Sequence, residues 1–172
     1  ATKSIFLVTN GQEPDMIQKL GDENALPTQL YLSTNAADYK SFLKINRPRY
    51  DDSWERWNRT LKMLSTLGTR TVLRITLIRG YNDDEEMIPV FASLLRQSNA
   101  HFVEIKSYMH IGRSTNRLEH SDMLEMDEVR SFANKLVQEN NAFTVMDESE
   151  ISRIVILQNK KRFVDRFIPA YS

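Results

Sequence analysis

The chain has 172 residues, 41% hydrophobic and 27% charged, with 23 basic and 23 acidic side chains that cancel to a net charge of zero. That length suits one domain with a real core, and a balanced charge gives no global attraction to nucleic acid or membrane, so any such contact has to be local. The absence of cysteine excludes disulfides, thiolate catalysis and cysteine-ligated metal clusters within these residues.

No apolar run approaches a membrane span, and no signal peptide is visible, so no membrane role and an intracellular, cytoplasmic location are expected. His101, His110 and His120 lack tight metal-ligand spacing and read as surface or capping residues. The chain opens on Ala1-Thr2-Lys3 and runs at once into strand-like SIFLV. A fragment lacking its N-terminal part would begin in this way.

Ser4 to Val8 has the apolar composition of a buried parallel strand, stopped by Thr9-Asn10-Gly11. Pro14 opens a short helix with Met16, Ile17 and Leu20 on its apolar face, ended by Gly21. Thr28 to Asn35 alternates as a second strand, with Leu30, Leu32 and Thr34 on one face and Gln29, Tyr31, Ser33 and Asn35 on the other. Ala36 to Ile45 reads as a short helix broken at Asn46-Arg47-Pro48-Arg49. Asp51 to Leu67 is the clearest helix, with Trp54, Trp57, Leu61 and Leu64 in one stripe and Gly68 at its C-terminus. Both tryptophans lie on that stripe, which points to packing rather than base stacking.

The central strand lies in TRTVLRITLIRGYN, Thr69 to Asn82. Leu73, Ile75 and Leu77 share an apolar face, while Val72, Arg74, Thr76 and Ile78 share the other. An arginine in mid-strand requires an acid, a ligand or a wet lumen. Asn82, Asp83 and Asp84 are candidate caps for a helix over 84–97 with Pro89 in its first turn. His101 to Ser107 is a fourth strand, with Phe102, Glu104 and Lys106 on one face. Tyr108 to Glu119 is a loop at that strand's C-terminal end, where β/α folds place their sites. A helix over 123–139 and two strands, 142–146 and 153–157, follow, the strands linked by an acidic turn over 147–150. From Ser152 onward the tail carries Arg153, Lys160, Lys161, Arg162 and Arg166 against Asp165. It reads as a solvated basic tail or, alternatively, as a phosphate contact.

Three consecutive strands thus combine an apolar face with a polar one carrying Ser33 and Asn35, Arg74 and Thr76, and Glu104 and Lys106. The pattern predicts an α/β fold, an incomplete β/α barrel of about four parallel strands with a C-terminal two-strand extension, formed as one domain over 1–172. Its inner face reads as a ligand site or as a self-neutralising network of Arg74, Glu104 and Lys106, and the two are compatible.

Three runs, PTQLYLSTNAADYKSFLKINRPRYDDSWERWNRTLKMLSTLGTRTVLRITLIRGYN, FLVTNGQ and FVEIKSYMHIGRSTNRL, together resemble the C-terminal half of the radical-SAM tRNA 4-demethylwyosine synthases of wybutosine synthesis. The resemblance implies a radical-SAM-type barrel and a lyase-class reaction. That reaction joins pyruvate-derived carbons to N1-methylguanosine-37 of tRNA(Phe). It also implies S-adenosylmethionine, a 4Fe-4S cluster and, in some members, FMN on a separate N-terminal domain. Two departures stand out. The family's CxxxCxxC loop is absent, and Asn35 stands where the family pattern carries an aspartate. As it stands the chain is expected to be inactive alone and to need the missing N-terminal half of the barrel as its partner. That partner's absence predicts an exposed apolar edge at 4–8.

Carried over by strand-end position, the resemblance implies that Thr9, Asn10, Ser33, Asn35, Arg74 and Thr76 meet the cofactor, with Arg74 taking a carboxylate. Lys106, Arg113, Arg117, Arg47 and Arg49 would meet substrate or tRNA. Any Schiff-base lysine for pyruvate is expected in the missing N-terminal part; Lys106, on an inner strand face, is a second candidate for such work and reads first as an ion-pair or ligand-binding lysine. The alternative reading is a non-catalytic tRNA-binding or scaffolding module on a half-barrel shell.

Overall fold

The computed structural model describes residues 4–168, so the opening Ala1–Lys3 and the end of the basic tail lie outside the described residues. Six strands form one sheet in the order β1-β2-β3-β4-β6-β5. Strands β1 (Phe6–Thr9), β2 (Gln29–Ser33), β3 (Arg70–Leu77) and β4 (Phe102–Ser107) run parallel. The C-terminal hairpin of β5 (Phe143–Ser149) and β6 (Ile154–Asn159) joins antiparallel through β6. The expected four-plus-two architecture is present.

Helix α1 (Pro14–Asp22) follows β1, α2 (Tyr39–Asn46) and α3 (Ser53–Met63) both follow β2, α4 (Ile88–Ser98) follows β3, and α5 (Met126–Glu139) follows β4. Their apolar stripes meet the Leu30/Leu32, Leu73/Ile75/Leu77 and Val103/Ile105 sides of the strands in one core. Burial of these side chains is worth about 1.5–3 kcal/mol each and drives the assembly. Trp57 is fully buried in that core, and Trp54 packs beside it with the two rings stacked at 5.3 Å. Both are packing residues, as their stripe predicted.

Several local expectations need correction. β1 is not a buried strand: Phe6 and Val8 are 52% and 50% exposed, because β1 has only β2 beside it. The apolar edge expected at 4–8 is present, an unpaired row of backbone groups open to another strand. α1 continues through Gly21 to Asp22, and α3 loosens into turns after Met63 rather than running to Leu67. β5 extends through the supposed acidic turn, taking in Asp147 and Glu148 past an irregularity between Val145 and Asp147.

His101 is not a surface residue. It is buried, and its Nδ1 accepts the backbone N–H of Thr71 at 3.0 Å. The tail arginines are structural rather than solvated. Arg162 donates to the carbonyls of Leu64, Leu67 and Asn99, capping the ends of the α3 turns and α4. Arg153 pairs with Glu125, and Arg166 with Asp147. Arg70 holds the tail from beneath, donating to the carbonyls of Asp165 and Arg166.

Candidate functional site

Parallel strands deliver their C-terminal ends to one rim, and here two adjoining cavities open on it. The first, about 590 Å³, lies between the ends of β1 and β2 and the α2–α3 turn, and is lined by Asn10, Gln12, Ser33, Asn35, Arg47, Arg49, Tyr50 and Arg117 among others. The second, about 340 Å³, lies over the ends of β3 and β4 and is lined by Asn35, Lys44, Arg47, Thr76, Tyr81, Lys106, Tyr108 and Arg117 among others. Asn35, Ile45, Arg47 and Arg117 border both.

Local structure sets these positions. The Nε1–H of buried Trp57 donates to the Ser33 carbonyl at 3.1 Å, fixing the end of β2. Gly11 turns the chain out of β1 at φ +77°, where a Cβ would stand 2.8 Å from Leu32 Cδ1 and 3.0 Å from Trp57 Cδ1. The Thr60 hydroxyl donates to its carbonyl. α2 ends on Arg47 in the left-handed region, φ 47° and ψ 62°, a costly geometry for a non-glycine residue. That turn carries the arginine to the border of both cavities. Arg79 ties the loop after Leu118 to the end of β3 through Glu128 and the carbonyls of Ser121 and Met123. Its guanidinium holds the Glu128 carboxyl below the usual carboxylate range.

Asn82 is the residue that sequence reasoning misread. It caps no helix. Fully buried, it accepts the Ile78 N–H at 2.7 Å and donates to the Asn35 and Thr76 carbonyls, both at 2.8 Å. One side chain thus joins the ends of β2 and β3 at the seam between the cavities. An asparagine just after a strand and a glycine was the available signal, but that pattern equally suits a cap.

Of the residues singled out from sequence, Asn10, Ser33, Asn35, Arg47, Arg49 and Arg117 come together in the first cavity. Asn35, Arg47, Thr76, Lys106 and Arg117 come together in the second. Thr9, Arg74 and Arg113 line neither. Thr9 instead accepts the Gly11 N–H with its hydroxyl. Arg74 lies one layer below the rim, its Nε 2.8 Å from Glu104 Oε1 and its guanidinium 4.5 Å over the Tyr31 ring. That pair realises the neutralising part of the expected network; Lys106 takes no part in it and has no ion pair among the described residues.

Two buried acceptors in the first cavity lack partners, Gln12 Oε1 and Asn35 Oδ1. Buried polar atoms are nearly always satisfied, so these oxygens suit a ligand's hydroxyl or amino donors. A ribose and an amino group supply such donors, and S-adenosylmethionine fits the residues present. An iron–sulfur cluster does not, since the chain offers no thiolate.

Residues 1–89 match the radical SAM superfamily, and the chain belongs to it. Residues 97–159 match a second family, wyosine base formation. Its relatives carry the name S-adenosyl-L-methionine-dependent tRNA 4-demethylwyosine synthase. The one from Methanocaldococcus jannaschii is 42% identical, aligned over 93% of this chain and 48% of the relative. The one from Pyrococcus abyssi is 39% identical, over 88% and 44%. A solved structure described as TYW1 with a lysine-pyruvate adduct bound superposes with a TM-score of 0.78 at 40% identity, over 91% of this chain and 47% of that one. The chain spans about half the length of the curated relatives it matches.

Proposed function

We propose that this chain is a single partial-barrel domain, the C-terminal portion of a tRNA 4-demethylwyosine synthase acting in the cytoplasm. The enzyme joins pyruvate-derived carbons to N1-methylguanosine-37 of tRNA(Phe) in wybutosine biosynthesis. The observation that carries the reading is the pair of abutting cavities on the strand-end rim, one with orphaned acceptors and one with unpaired cations. Two cavities sharing a wall suit a reaction that brings a cofactor and a nucleic-acid substrate into contact.

S-adenosylmethionine, bound beside a cluster that other polypeptide would hold, would supply the radical that starts chemistry of this class. Its cluster, of the 4Fe-4S type, and any FMN belong to polypeptide other than these residues. This chain's own part is to bind and orient. Asn10, Gln12, Ser33 and Asn35 offer hydrogen bonds to the cofactor's ribose and amino groups. Arg47, Arg49 and Arg117 offer charge to tRNA phosphates. Lys106 and Lys44 are the amines presented to the second cavity. The lysine-pyruvate adduct in the solved relative makes an amine near pyruvate relevant, and Lys106, partly buried, is the better placed of the two. The open edge of β1 is where the remainder of the barrel would pair. The missing thiolates favour a second reading for the chain in isolation, a tRNA-binding module without catalysis.

The test is titration of the 172-residue chain with tRNA(Phe) over a range of salt. Binding should weaken steeply as salt rises, with a slope that falls by about one for each of Arg47→Ala and Arg117→Ala. A chain that binds no tRNA at low salt refutes the reading.

A further inference from the structure

The inner face of the sheet has two unlike ends. Its rim is polar. At the other end, where the parallel strands begin, Phe6, Tyr31, Val72, Phe102 and Ile156 are among the residues lining a recess of about 320 Å³. Arg70, the first residue of β3, borders that recess, and its donors are committed to the protein itself. Nε donates to Gln29 Oε1 at 2.9 Å, and the two terminal nitrogens donate to the carbonyls of Asp165 and Arg166 at 2.6 and 3.1 Å. Its guanidinium lies 5.0 Å over the Phe102 ring. An arginine bound in this way to main-chain oxygens anchors a segment of chain rather than a ligand.

The chain after β6 is drawn across the sheet by these contacts. Arg162 caps the helix ends on the outer side. The Gln158 amide then donates to the Val164 carbonyl at 2.7 Å, Arg166 pairs with Asp147 of β5, and Phe167 and Ile168 reach the recess on the inner side. The segment is held at each step, yet it ends with a large apolar side chain uncovered. Phe167 is 69% exposed. Phe6 borders the same recess and Val8 follows it along β1, and both are about half exposed. Apolar side chains grouped along one open edge mark a contact surface, unlike single exposed residues scattered over a protein. This surface is continuous with the unpaired backbone of β1. Its occupant has to supply a strand for that edge together with apolar inward side chains at the base. The polypeptide that completes the barrel meets both requirements, and relatives of about twice this length contain enough additional chain for it.

We infer that the tail is the floor of the barrel and a docking surface for the polypeptide that completes it. Anchored on Arg70, the tail crosses the inner face where the parallel strands begin. It closes the lumen below the Arg74–Glu104 pair and leaves the rim as the way in. Phe167 packs against inward side chains of the strand that pairs with β1. The inference rests on the partial-barrel reading above and adds to the β1 edge a second attachment, at the base.

The experiment uses the parent enzyme with a protease site inserted ahead of Ala1 and cut after folding. Association of the two pieces is followed by size-exclusion chromatography over a dilution series. Ending the chain after Val164 keeps the Arg162 caps and the Gln158–Val164 bond and removes the rest of the floor. It should weaken association at least about tenfold. Phe167→Ser alone should weaken it about tenfold, the factor that burial of one phenylalanine carries, and Arg70→Gln, which frees the intact tail, should weaken it as well. Phe163→Ser changes an equally exposed residue of the same tail that lies outside the recess, and it should have no effect. Circular dichroism of each uncut variant confirms folding. In the cut pair the amides of Phe167 and Ile168 should exchange with deuterium more slowly than in the 172-residue chain alone. If the pieces associate equally well in every variant and those amides gain no protection, the docking assignment is overturned while the partial-barrel reading stands. If the pieces part on cutting and do not associate at any concentration, both fall. If Phe163→Ser weakens association as much as Phe167→Ser, the recess is not the contact and the inference fails.

Discussion

His101 makes stability depend on pH in a window that can be assigned to one residue. Its imidazole is buried within the influence of Arg70 and Arg162, and Nδ1 is committed as acceptor to the Thr71 N–H at 3.0 Å. Burial first, then the two guanidinium charges, depress its pKa from 6.5 to about 4. In the unfolded chain the ring takes up a proton near 6.5; in the folded chain it does so only near 4. Between those values the unfolded state holds more protons, so stability rises with pH. The His101 contribution is complete above about pH 6.5 and is lost as pH falls toward 4. One pKa unit corresponds to about 1.4 kcal/mol, so a shift of this size amounts to about 3.5 kcal/mol at most. Asparagine at 101 keeps a side-chain acceptor for Thr71 and removes the titration. Urea unfolding of wild type and His101→Asn at pH 7.5, 6.5, 5.5 and 4.5, analysed as a difference, cancels the carboxylates common to both. The gap should shift in favour of the variant by about 2–3 kcal/mol from the highest to the lowest pH. A difference independent of pH would refute the assignment of a neutral, acceptor-committed imidazole.

Four further outcomes follow from contacts at and below the rim. Asn82→Ala strands the Ile78 N–H and removes the tie between β2 and β3; it should cost about 2–4 kcal/mol in urea unfolding, and Asn82→Asp, unable to donate to two carbonyls, should not rescue it. Gly11→Ala drives a methyl into Leu32 and Trp57 at a left-handed φ and should cost about 1–3 kcal/mol, read as a lower thermal midpoint. Arg162→Leu uncaps three carbonyls and should cost about 2–3 kcal/mol by the same measurement. For the Arg74–Glu104 pair, Glu104→Leu alone should cost about 3 kcal/mol, and the double change with Arg74→Leu should recover most of it; a double-mutant cycle showing simple additivity would mean that the two charges do not interact.

The layer structure was legible because it depends on short-range periodicity. Leu30 and Leu32, Leu73 to Leu77, and Val103 and Ile105 alternate cleanly, and each set enters the core. Trp54 and Trp57 followed from helical spacing for the same reason. What stayed hidden depends on partners distant in sequence. Nothing near His101 indicates that Thr71 will meet it, thirty residues away. Nothing near Arg162 indicates the carbonyls of Leu64 and Leu67, nearly a hundred residues earlier. A run of basic residues in a tail looks solvated until the helix ends it caps are known. β1 misled in another way: its composition is that of a strand with two neighbours, whereas here it has one.

The inner face shows how register, rather than residue type, separates structural cations from available ones. Arg74 and Lys106 both project from the polar side of adjacent strands, and both were natural candidates for ligand binding. In the β3–β4 register Arg74 stands opposite Glu104, which lies two residues before Lys106. Lys106 stands opposite Thr76 on one side and Ile154 on the other, and it has no ion pair among the described residues. A carboxylate beside Arg74 neutralises it at its partly buried position in mid-strand, where an unpaired charge would be costly. One step further along the strand the cavity opens, water and ligands enter, and an unpaired ammonium is tolerable. The same strand pair thus neutralises its interior and leaves its rim positive. The charge available for an anionic substrate is confined to the layer that such a substrate can reach.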